Sequence, residues 1–291
     1  MSDPTKPSPL APVPDAQVVA GLARPKGPSV AGLVDGAVVV LVTAAGVFCP
    51  QGAAAFYRSL AVGFAGIAGS VLAGAFVVTW LGERDPQRLQ GPRRKPALMA
   101  RGARDTALAA WIAACLLAWP LARMHAGVRT GLVWSLEEAG GAPQVILQTA
   151  GGLLVLDAWL YWKHRLLHTR WLFPFHRAHH VYRDPTALAG FAVGPVESLL
   201  TFWPVVLVSI PEAIHWAPLY FALVGGFVLL NFYLHSGVSL RVLEATLPRI
   251  FVNTSAFHNR HHANAEVNFG EALTLWDHLC RTREADRNKR A

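Results

Sequence analysis

Long apolar runs separated by short polar segments dominate the chain from residue 30 onwards. Four of them are close to the roughly 20 residues that a helix needs to cross the hydrocarbon core of a membrane. These runs lie at about 30–50, 56–81, 105–121 and 143–162. Two further runs, at about 199–215 and 217–234, are separated by prolines and an acid. They predict either a complete hairpin across the membrane or one that enters and returns on the same side.

The composition supports a membrane protein rather than a soluble enzyme with one anchor. Apolar residues make up 53% of the chain and charged residues 15%, whereas soluble domains average about 25% charged. We therefore expect an all-α fold, a polytopic membrane helix bundle with a cytosolic histidine-rich helical cap. Residues 1–28 hold seven of the 20 prolines and predict a disordered tail without the pattern of a signal peptide. The three cysteines are far apart and predict unpaired thiols.

The charge distribution predicts the orientation of the bundle. With the amino terminus inside, 23 of the 26 Lys and Arg residues fall on the inner side of the membrane, as the positive-inside rule requires. We therefore expect a multi-pass protein of the cell membrane with both termini in the cytosol. The net charge of +8 is explained by basic residues that flank the apolar runs, so nucleic acid is not an expected partner.

Histidines form the most informative pattern in the sequence. Eight of the 12 fall into one HxxxH and two HxxHH groups: His164, His168, His176, His179, His180, His258, His261 and His262. Residues three or four apart share one face of a helix, so each group presents its imidazoles towards a common point. Imidazole suits iron, zinc and copper, and eight rings exceed what one ion accepts. The sequence therefore predicts two metal ions at the cytosolic boundary.

The remaining four histidines differ in their expected roles. His235 ends the sixth apolar run at the same boundary, and we expect it to be a ninth ligand. His125 and His215 fall on the outer side, where an interfacial role without function is expected. His278 is cytosolic but outside any group, so we expect it to support a ligand or to lie on the surface.

Two acids and a tyrosine are candidates for a direct part in the chemistry. Asp157 lies late in an apolar run, four residues before Tyr161 and seven before His164. An acid there is expensive, and we expect it to accept a bond from a ligating ring; the alternative is an acid that reaches back to the membrane boundary. Glu197 is expected either to orient a ligand or to face the metal, against the alternative of an interfacial anchor.

These motifs resemble the fatty acid hydroxylase/sterol desaturase superfamily of membrane di-iron enzymes over about 150–285. The resemblance rests on DAWLYWKHRLLH, on FHRAHH, and on HNRHHANAEVNFGEALTLWDHLCRT, whose matching residues after the histidines are Asn268, Gly270, Trp276, Asp277 and Thr282. The segment DPTALAGFAVGPVES is closest to the sterol desaturase branch, which usually has histidine where this chain has Gly194. Water, Glu197 or a different coordination number must then fill that place. The chain accordingly divides into a tail at 1–28, transmembrane helices at 29–142 and a catalytic domain at 143–291.

The resemblance implies an enzyme that uses two iron ions and O2 to oxidise a C–H bond of a lipid, sterol-like, fatty acyl or isoprenoid. Zinc is able to replace iron in the isolated protein. Asp157, Tyr161 and Glu197 are the expected catalytic residues. Hydroxylation and desaturation remain equally open. No nucleotide-binding turn or cysteine cluster occurs, so we expect electrons from a ferredoxin or a cytochrome with its reductase.

Two other classes of protein also use clustered histidines. A membrane metal transporter or sensor should carry ionisable ligands in the middle of the membrane, whereas these groups lie at its boundary. A di-zinc hydrolase should have bridging carboxylates or an HExxH motif, and HExxH does not occur in the sequence. Both remain alternatives to the oxygenase.

Overall fold

The protein is described by a computed structural model over residues 29–89 and 96–287, so the predicted tail at 1–28 lies outside the described residues. The regular structure is almost entirely helical, which confirms the all-α prediction. In chain order the α-helices are α1 Val30–Ala44, α2 Ala53–Gly82, α3 Pro96–His125, α4 Gly141–Leu167, α5 Phe173–His180, α6 Pro195–Phe202, α7 Ala217–Leu234, α8 Arg241–Thr246, α9 Ser255–Ala263, α10 Leu275–Cys280 and α11 Glu284–Arg287. Short 3₁₀ helices occupy Ala45–Phe48, Ala187–Phe191, Trp203–Ser209 and Leu247–Ile250.

Five of these helices are long and apolar enough to cross a membrane: α1 with its 3₁₀ extension, α2, α3, α4 and α7. They coincide with the first four predicted runs and the sixth. Exposed leucine, valine and isoleucine side chains cover much of their outer surface, as a lipid environment requires. The chain is therefore a multi-pass membrane bundle.

The fifth predicted run has a different structure, because α6 continues into the 3₁₀ helix Trp203–Ser209. Pro204 lacks the N–H that an α-helical turn would use. One end of this segment lies beside the histidine clusters, since Glu197 bonds His176; at the other end Gly131 N donates to Val208 O at 2.8 Å. The 3₁₀ turns rise about 2.0 Å per residue, so the segment extends about 26 Å. This segment therefore runs from the histidine clusters to the other end of the bundle, and α7 brings the chain back to His235, which favours the complete hairpin over one that turns back part-way.

The two ends of the bundle differ in construction. At the end away from the histidine clusters, here called the opposite end, β1 Leu132–Val133 pairs in parallel with β2 His215–Trp216. Val133 and Val145 pack there against Ile214 and the neighbouring apolar residues. The other end, called the histidine end, carries the carboxyl terminus of α4 together with α5 and α9.

Helices α2 and α3 form the largest packed interface within the bundle. Phe56 and Leu60 of α2 pack on alanines of α3 and on Cys115, since small side chains allow close approach of membrane helices. Further along, α2 supports the 3₁₀ helix Ala187–Phe191 through Val71 and Ala75. The first three helices thus support the histidine end of the bundle. All three cysteines are free, which confirms the predicted unpaired thiols.

Candidate metal centre

Four separate parts of the chain bring histidines to one place. Helix α4 ends with His164 and His168, α5 carries the second group, α9 carries the third, and His235 caps the end of α7. Helix α9 begins at a capped terminus, because the Thr254 hydroxyl accepts from Phe257 N. The structure therefore brings together the eight histidines of the three groups and His235, and their role as ligands stays a prediction.

The nine rings form two separate ligand sets. The first set is His164, His168, His176, His180 and His261, and the second set is His179, His235, His258 and His262. Within each set the candidate ligand atoms lie within 4.8 Å of one another. Eight of the nine side chains are buried and His168 is half-buried. Two convergent sets agree with the expectation of two ions rather than one.

Each HxxHH group contributes to both sets. In α5, His176 and His180 belong to the first set and His179 to the second; in α9, His258 and His262 belong to the second and His261 to the first. Residues four apart lie nearly above one another on a helix, whereas the residue three along is rotated to one side. One helical turn therefore supplies ligands to two adjacent metal positions.

Hydrogen bonds behind the rings fix which nitrogen faces the centre. His164 Nδ1 bonds Phe269 O at 2.8 Å, and His261 Nδ1 bonds Val267 O at 2.7 Å. His235 Nδ1 bonds a backbone carbonyl within its own helix at 2.9 Å. A carbonyl oxygen only accepts, so each of these Nδ1 atoms carries the hydrogen and each Nε2 keeps its lone pair for a metal.

The arrangement of the ring nitrogens fits a cation. His180 Nε2 lies 3.1 Å from His168 Nε2 and 3.2 Å from His261 Nε2. His261 Nε2 holds a lone pair and no hydrogen, and His180 Nε2 has either one hydrogen or one lone pair to offer. At most one of these two contacts can therefore be a normal hydrogen bond. Further Nε2 atoms, those of His164 and His176, are buried without a hydrogen-bond partner. A metal ion would satisfy these converging lone pairs at once.

Burial also keeps His168 and the rings of α5 and α9 neutral. Desolvation lowers the pKa of His261 to about 4, although its bond to Val267 opposes the shift. It lowers the pKa of His168 to about 3, helped by the charge of His261 when protonated. For His179 and His262 burial acts together with repulsion between neighbouring imidazoles, and their pKa values fall well below the usual range. Neutral imidazole is the form that binds metal.

The segment that follows α9 is held rigidly by Asp277. Its carboxylate accepts from Phe269 N at 2.9 Å and Gly270 N at 2.6 Å. A Cβ on Gly270 would collide with Leu273 O and approach this carboxylate, so only glycine fits. Asn268 adopts a left-handed conformation with φ of 60°. These residues of the third motif thus build the support for the carbonyls behind His164 and His261.

The structure gives Asp157 a partner other than the ring that was expected, and it places Tyr161 against Thr282. Asp157 Oδ1 accepts from Leu273 N at 2.9 Å rather than from a ligating ring. The Tyr161 hydroxyl contacts Thr282 Oγ1 at 3.0 Å, and Thr282 in turn donates to Asp277 at 2.5 Å. Both side chains project from α4 towards the part of the chain that follows α9, Asp157 to Leu273 and Tyr161 to Thr282. Asp157 and Tyr161 therefore support the ligands indirectly, and these hydrogen bonds are not to the ligating rings.

Glu197 and Gly194 lie at the start of α6. The carboxylate of Glu197 accepts from His176 Nδ1 at 2.8 Å and is buried, so it orients a ring and is not in either ligand set. A Cβ on Gly194 would point towards Phe175 O at 3.0 Å and the carboxylate of Asp35 beyond it. A side chain at position 194 would therefore begin against the backbone of α5 and beside Asp35 of α1. His235 joins the second set from the end of α7.

The remaining histidines lie outside both ligand sets. His125 is exposed at the opposite end, where its Nδ1 contacts Ser59 Oγ at 3.4 Å. His215 is half-buried in β2. His278 is bonded to Thr274 O within its own turn and packs on Phe251.

A cavity beside the histidines reveals residues that the sequence analysis missed. It is lined by histidines of both sets, by apolar side chains of the 3₁₀ helix 187–191, α6 and α7, and by Lys163, Glu197, Asn231 and Glu271. Lys163 could have been found, since a lysine that directly follows an apolar run and precedes His164 is itself a signal of function. Gly190, where a Cβ would collide with Asn231, and Glu271 gave no such signal, because their neighbours are distant in sequence.

Residues 149–282 match the family model described as fatty acid hydroxylase. This part of the chain belongs to the fatty acid hydroxylase/sterol desaturase superfamily. The matched segment contains all nine histidines of the two sets and ends at Thr282, which completes the Asp277 network. The superfamily assignment made from the motifs is thereby confirmed.

Curated relatives of this fatty acid hydroxylase domain are enzymes named for sterols. The chain is 33% identical to lathosterol oxidase of Rattus norvegicus over 139 residues, and 30% identical to that of Homo sapiens over 143 residues. It is 32% identical over 136 residues to a Delta(7)-sterol 5(6)-desaturase of Gibberella zeae. These matches cover 46%, 48% and 44% of this chain.

The similarity is confined to part of each protein. The chain spans less than half of the length of these relatives, at 44%, 46% and 35%. No solved structure matches the chain. The assignment therefore concerns the hydroxylase domain, and α1 to α3 lie outside the matched residues.

Proposed function

We propose that this protein is a membrane oxidoreductase that uses iron and O2 to oxidise a C–H bond of a sterol-like lipid. The observation that carries the proposal is the pair of all-histidine ligand sets, almost entirely buried, beside a cavity lined in part by apolar side chains. Membership of a superfamily whose relatives are named as sterol oxidases and desaturases supports the class of reaction and of substrate.

The side chains divide the work between holding metal and holding substrate. The nitrogen ligands of each set would hold one iron ion, about two per chain, and bound iron would supply the activation of O2. Glu197 and the carbonyls of Val267 and Phe269 keep the ligating nitrogens aimed at the centre. The apolar flank of the cavity, formed in part by Phe202 and Phe227, excludes water and accepts hydrocarbon.

The alternative functions receive less support from the site. A di-zinc hydrolase would use carboxylates as bridging ligands, whereas the two sets found among the described residues consist of histidine alone. A transporter would carry its ligands near the middle of the bundle, whereas these sets lie where α4 and α7 end.

Three further proposals concern the surroundings of the site. The histidine end faces the cytosol of a cell membrane, as the distribution of basic residues indicates. Electrons come from an external ferredoxin or cytochrome with its reductase. Residues 143–291 form the catalytic part of the chain and 29–142 the membrane part that supports it. Labelling of a cysteine at position 94 in intact cells by an impermeant reagent would overturn the orientation.

The decisive experiment combines metal analysis with a test of turnover. Protein handled without oxygen should contain about two irons per chain, and it should consume O2 only when a sterol, a reductase and an electron carrier are present. Mass spectrometry should then find a product changed by one oxygen or by two hydrogens. Iron-loaded protein that consumes no O2 and changes no lipid under these conditions would overturn the proposal.

A further inference from the structure

The cavity next to the histidine sets is lined by charged groups whose purpose the metal site does not explain. Lys163 and Glu271 line it together with Thr201. The apolar side chains of Phe191, Phe202, Phe227 and Leu234, here called the apolar flank, line the same cavity. A cavity with both apolar and strongly polar lining is suited to an amphipathic ligand.

Lys163 is deeply buried, with a side chain that is 2% exposed. Its ammonium lies 2.8 Å from Glu271 Oε1 and 2.8 Å from Thr201 Oγ1. Thr201 donates its own hydrogen to Glu197 O, so its oxygen accepts from the lysine. An ammonium has three N–H groups, and these two bonds leave one for another acceptor.

A buried ion pair of this kind is weak evidence for stability. Pairs like it are often replaced by apolar side chains without loss of stability, and ionisable residues within membrane helices mark functional sites by default. Asn231, on the membrane helix α7, adds a second unusual group to the same cavity. Its Oδ1 atom is buried without a hydrogen-bond partner. The remaining N–H donor of Lys163 and the Oδ1 acceptor of Asn231 thus belong to residues that line the same cavity.

We propose that Lys163, Glu271 and Asn231 bind a hydroxyl group of the lipid substrate. A hydroxyl accepts one hydrogen bond and donates another, so it can accept from Lys163 and donate to Glu271 or Asn231. The hydrocarbon of the substrate then lies along the apolar flank, which faces the membrane helices α6 and α7.

The position of this subsite restricts the substrate. Glu271 Oε1 is 3.8 Å from His164 Nδ1, so the hydroxyl is held within a few ångströms of the first ligand set. The inference rests on the proposed function and narrows it to lipid alcohols whose hydroxyl is close to the oxidised carbon. A plain acyl chain would leave the third N–H of Lys163 and the Oδ1 atom of Asn231 without partners, which disfavours its binding.

Equilibrium binding tests the subsite without turnover. The full-length protein, loaded with zinc, is titrated with radiolabelled lathosterol and with the same sterol lacking its hydroxyl. We expect the alcohol to bind about tenfold or more tightly. In the double variant Lys163→Met/Glu271→Leu, which avoids leaving one charge unpaired, that ratio should fall below about twofold while the affinity for the deoxy sterol is retained.

Two further variants control the experiment. Arg101→Met/Asp105→Asn removes an ion pair of α3 that does not line the cavity, and its binding ratio should equal that of the wild type. Asn231→Leu keeps both charges and should lower the ratio about threefold, so it tests the subsite even if the double variant does not fold.

Two results would overturn the subsite. One is a wild-type protein that binds the two sterols equally. The other is an unchanged ratio in variants that retain their zinc. Preferential binding of the alcohol by a protein that oxidises no lipid with iron would contradict the proposed function and leave the subsite supported.

Discussion

Both ends of the bundle carry histidines, but only one end has the construction of a metal centre. At the opposite end His125 is exposed and touches one serine hydroxyl, and His215 is half-buried in a two-residue strand. At the histidine end nine rings from four parts of the chain face one another in two sets. The opposite end therefore shows how a histidine is placed when no other candidate metal ligands lie around it.

The two ends differ in the groups that accept a hydrogen bond from each ring as much as in the number of rings that meet. The rings of His164 and His261 are oriented by carbonyls of a segment that Asp277 holds, and His176 is oriented by Glu197. His125 has no comparable backing among its described contacts. A metal centre thus depends on groups that fix each Nδ1, and not on the number of histidines.

Removal of one ligating ring should have the largest effect on the histidine end. His261→Ala removes a ligand of the first set while the membrane helices keep their packing. We expect metal content to fall from about two ions per chain to about one, and turnover to fall at least about 100-fold. His179→Ala should do the same through the second set. Metal analysis and a lipid oxidation assay measure both effects.

The matched control for these variants is His125→Ala at the opposite end. It should retain metal content and turnover, because the exposed ring contacts only Ser59 among the described hydrogen bonds. Retention of two metals and full activity by His261→Ala, or their loss in His125→Ala, would show that the ligand sets are wrongly assigned.

Removal of the Asp277 carboxylate should have the next largest effect. Asp277→Ala leaves the buried N–H groups of Phe269 and Gly270 without their acceptor, and each such loss disfavours the folded segment by about 1–3 kcal/mol. We expect metal affinity to fall about 100-fold although no ligand is touched. Competition with a metal chelator measures the affinity. Asp286→Asn, outside the supporting network, is the control, and an equal loss there would argue against the role of Asp277.

Substitution of Glu197 should give a smaller and graded effect. Glu197→Ala removes the acceptor behind His176 and should weaken metal binding about 10- to 100-fold. Glu197→Gln retains an oxygen for the same bond and should lose less than about tenfold. Chelator titration of the two variants distinguishes them. Equal losses would mean that the negative charge, and not the orientation of the ring, is what matters.

Acid should have the smallest effect, a decline in the stability of the metal-free protein. The pKa values of His168 and His261 in the folded state are about 3 and about 4, below the value of about 6.5 in an unfolded chain. The unfolded state therefore binds protons first. The contribution of these two rings to stability is complete above about pH 6.5 and declines as the pH falls towards about 3. Thermal unfolding at several pH values in the presence of a chelator measures this decline, and a flat profile would contradict it. The profile of His125→Ala should match that of the wild type.

The sequence predicted the membrane helices and the convergence of the histidines because both depend on local periodicity. Helical spacing places His176 and His180 on one face whatever surrounds them, and an apolar run of spanning length needs no partner to be recognised. The same reasoning identified Asn268, Gly270 and Asp277 only as parts of a motif. Their task became visible once the bonds to Phe269 and Gly270 were known.

Other features could not follow from the sequence, because they depend on contacts between distant segments. Asp157 was expected to bond a ring and instead holds Leu273 N, 116 residues away. The bond of Lys163 to Thr201 joins residues 38 apart. The course of the fifth apolar run was left open for the same reason, since its two ends are bonded to residues distant in sequence, His176 and Gly131.

The sharing of each HxxHH group between both ligand sets has a consequence for the order of biosynthesis. His180 and His261, which face each other in the first set, are 81 residues apart, and the second set likewise needs residues from both α5 and α9. At translation rates of about 5–20 residues per second, α5 waits roughly 4 to 16 s for its partner helix. Neither ion of the proposed pair could be fully enclosed before α9 has emerged from the ribosome. Metal insertion would therefore be a late event, and the nascent bundle would have to remain inserted in the membrane without help from either ion.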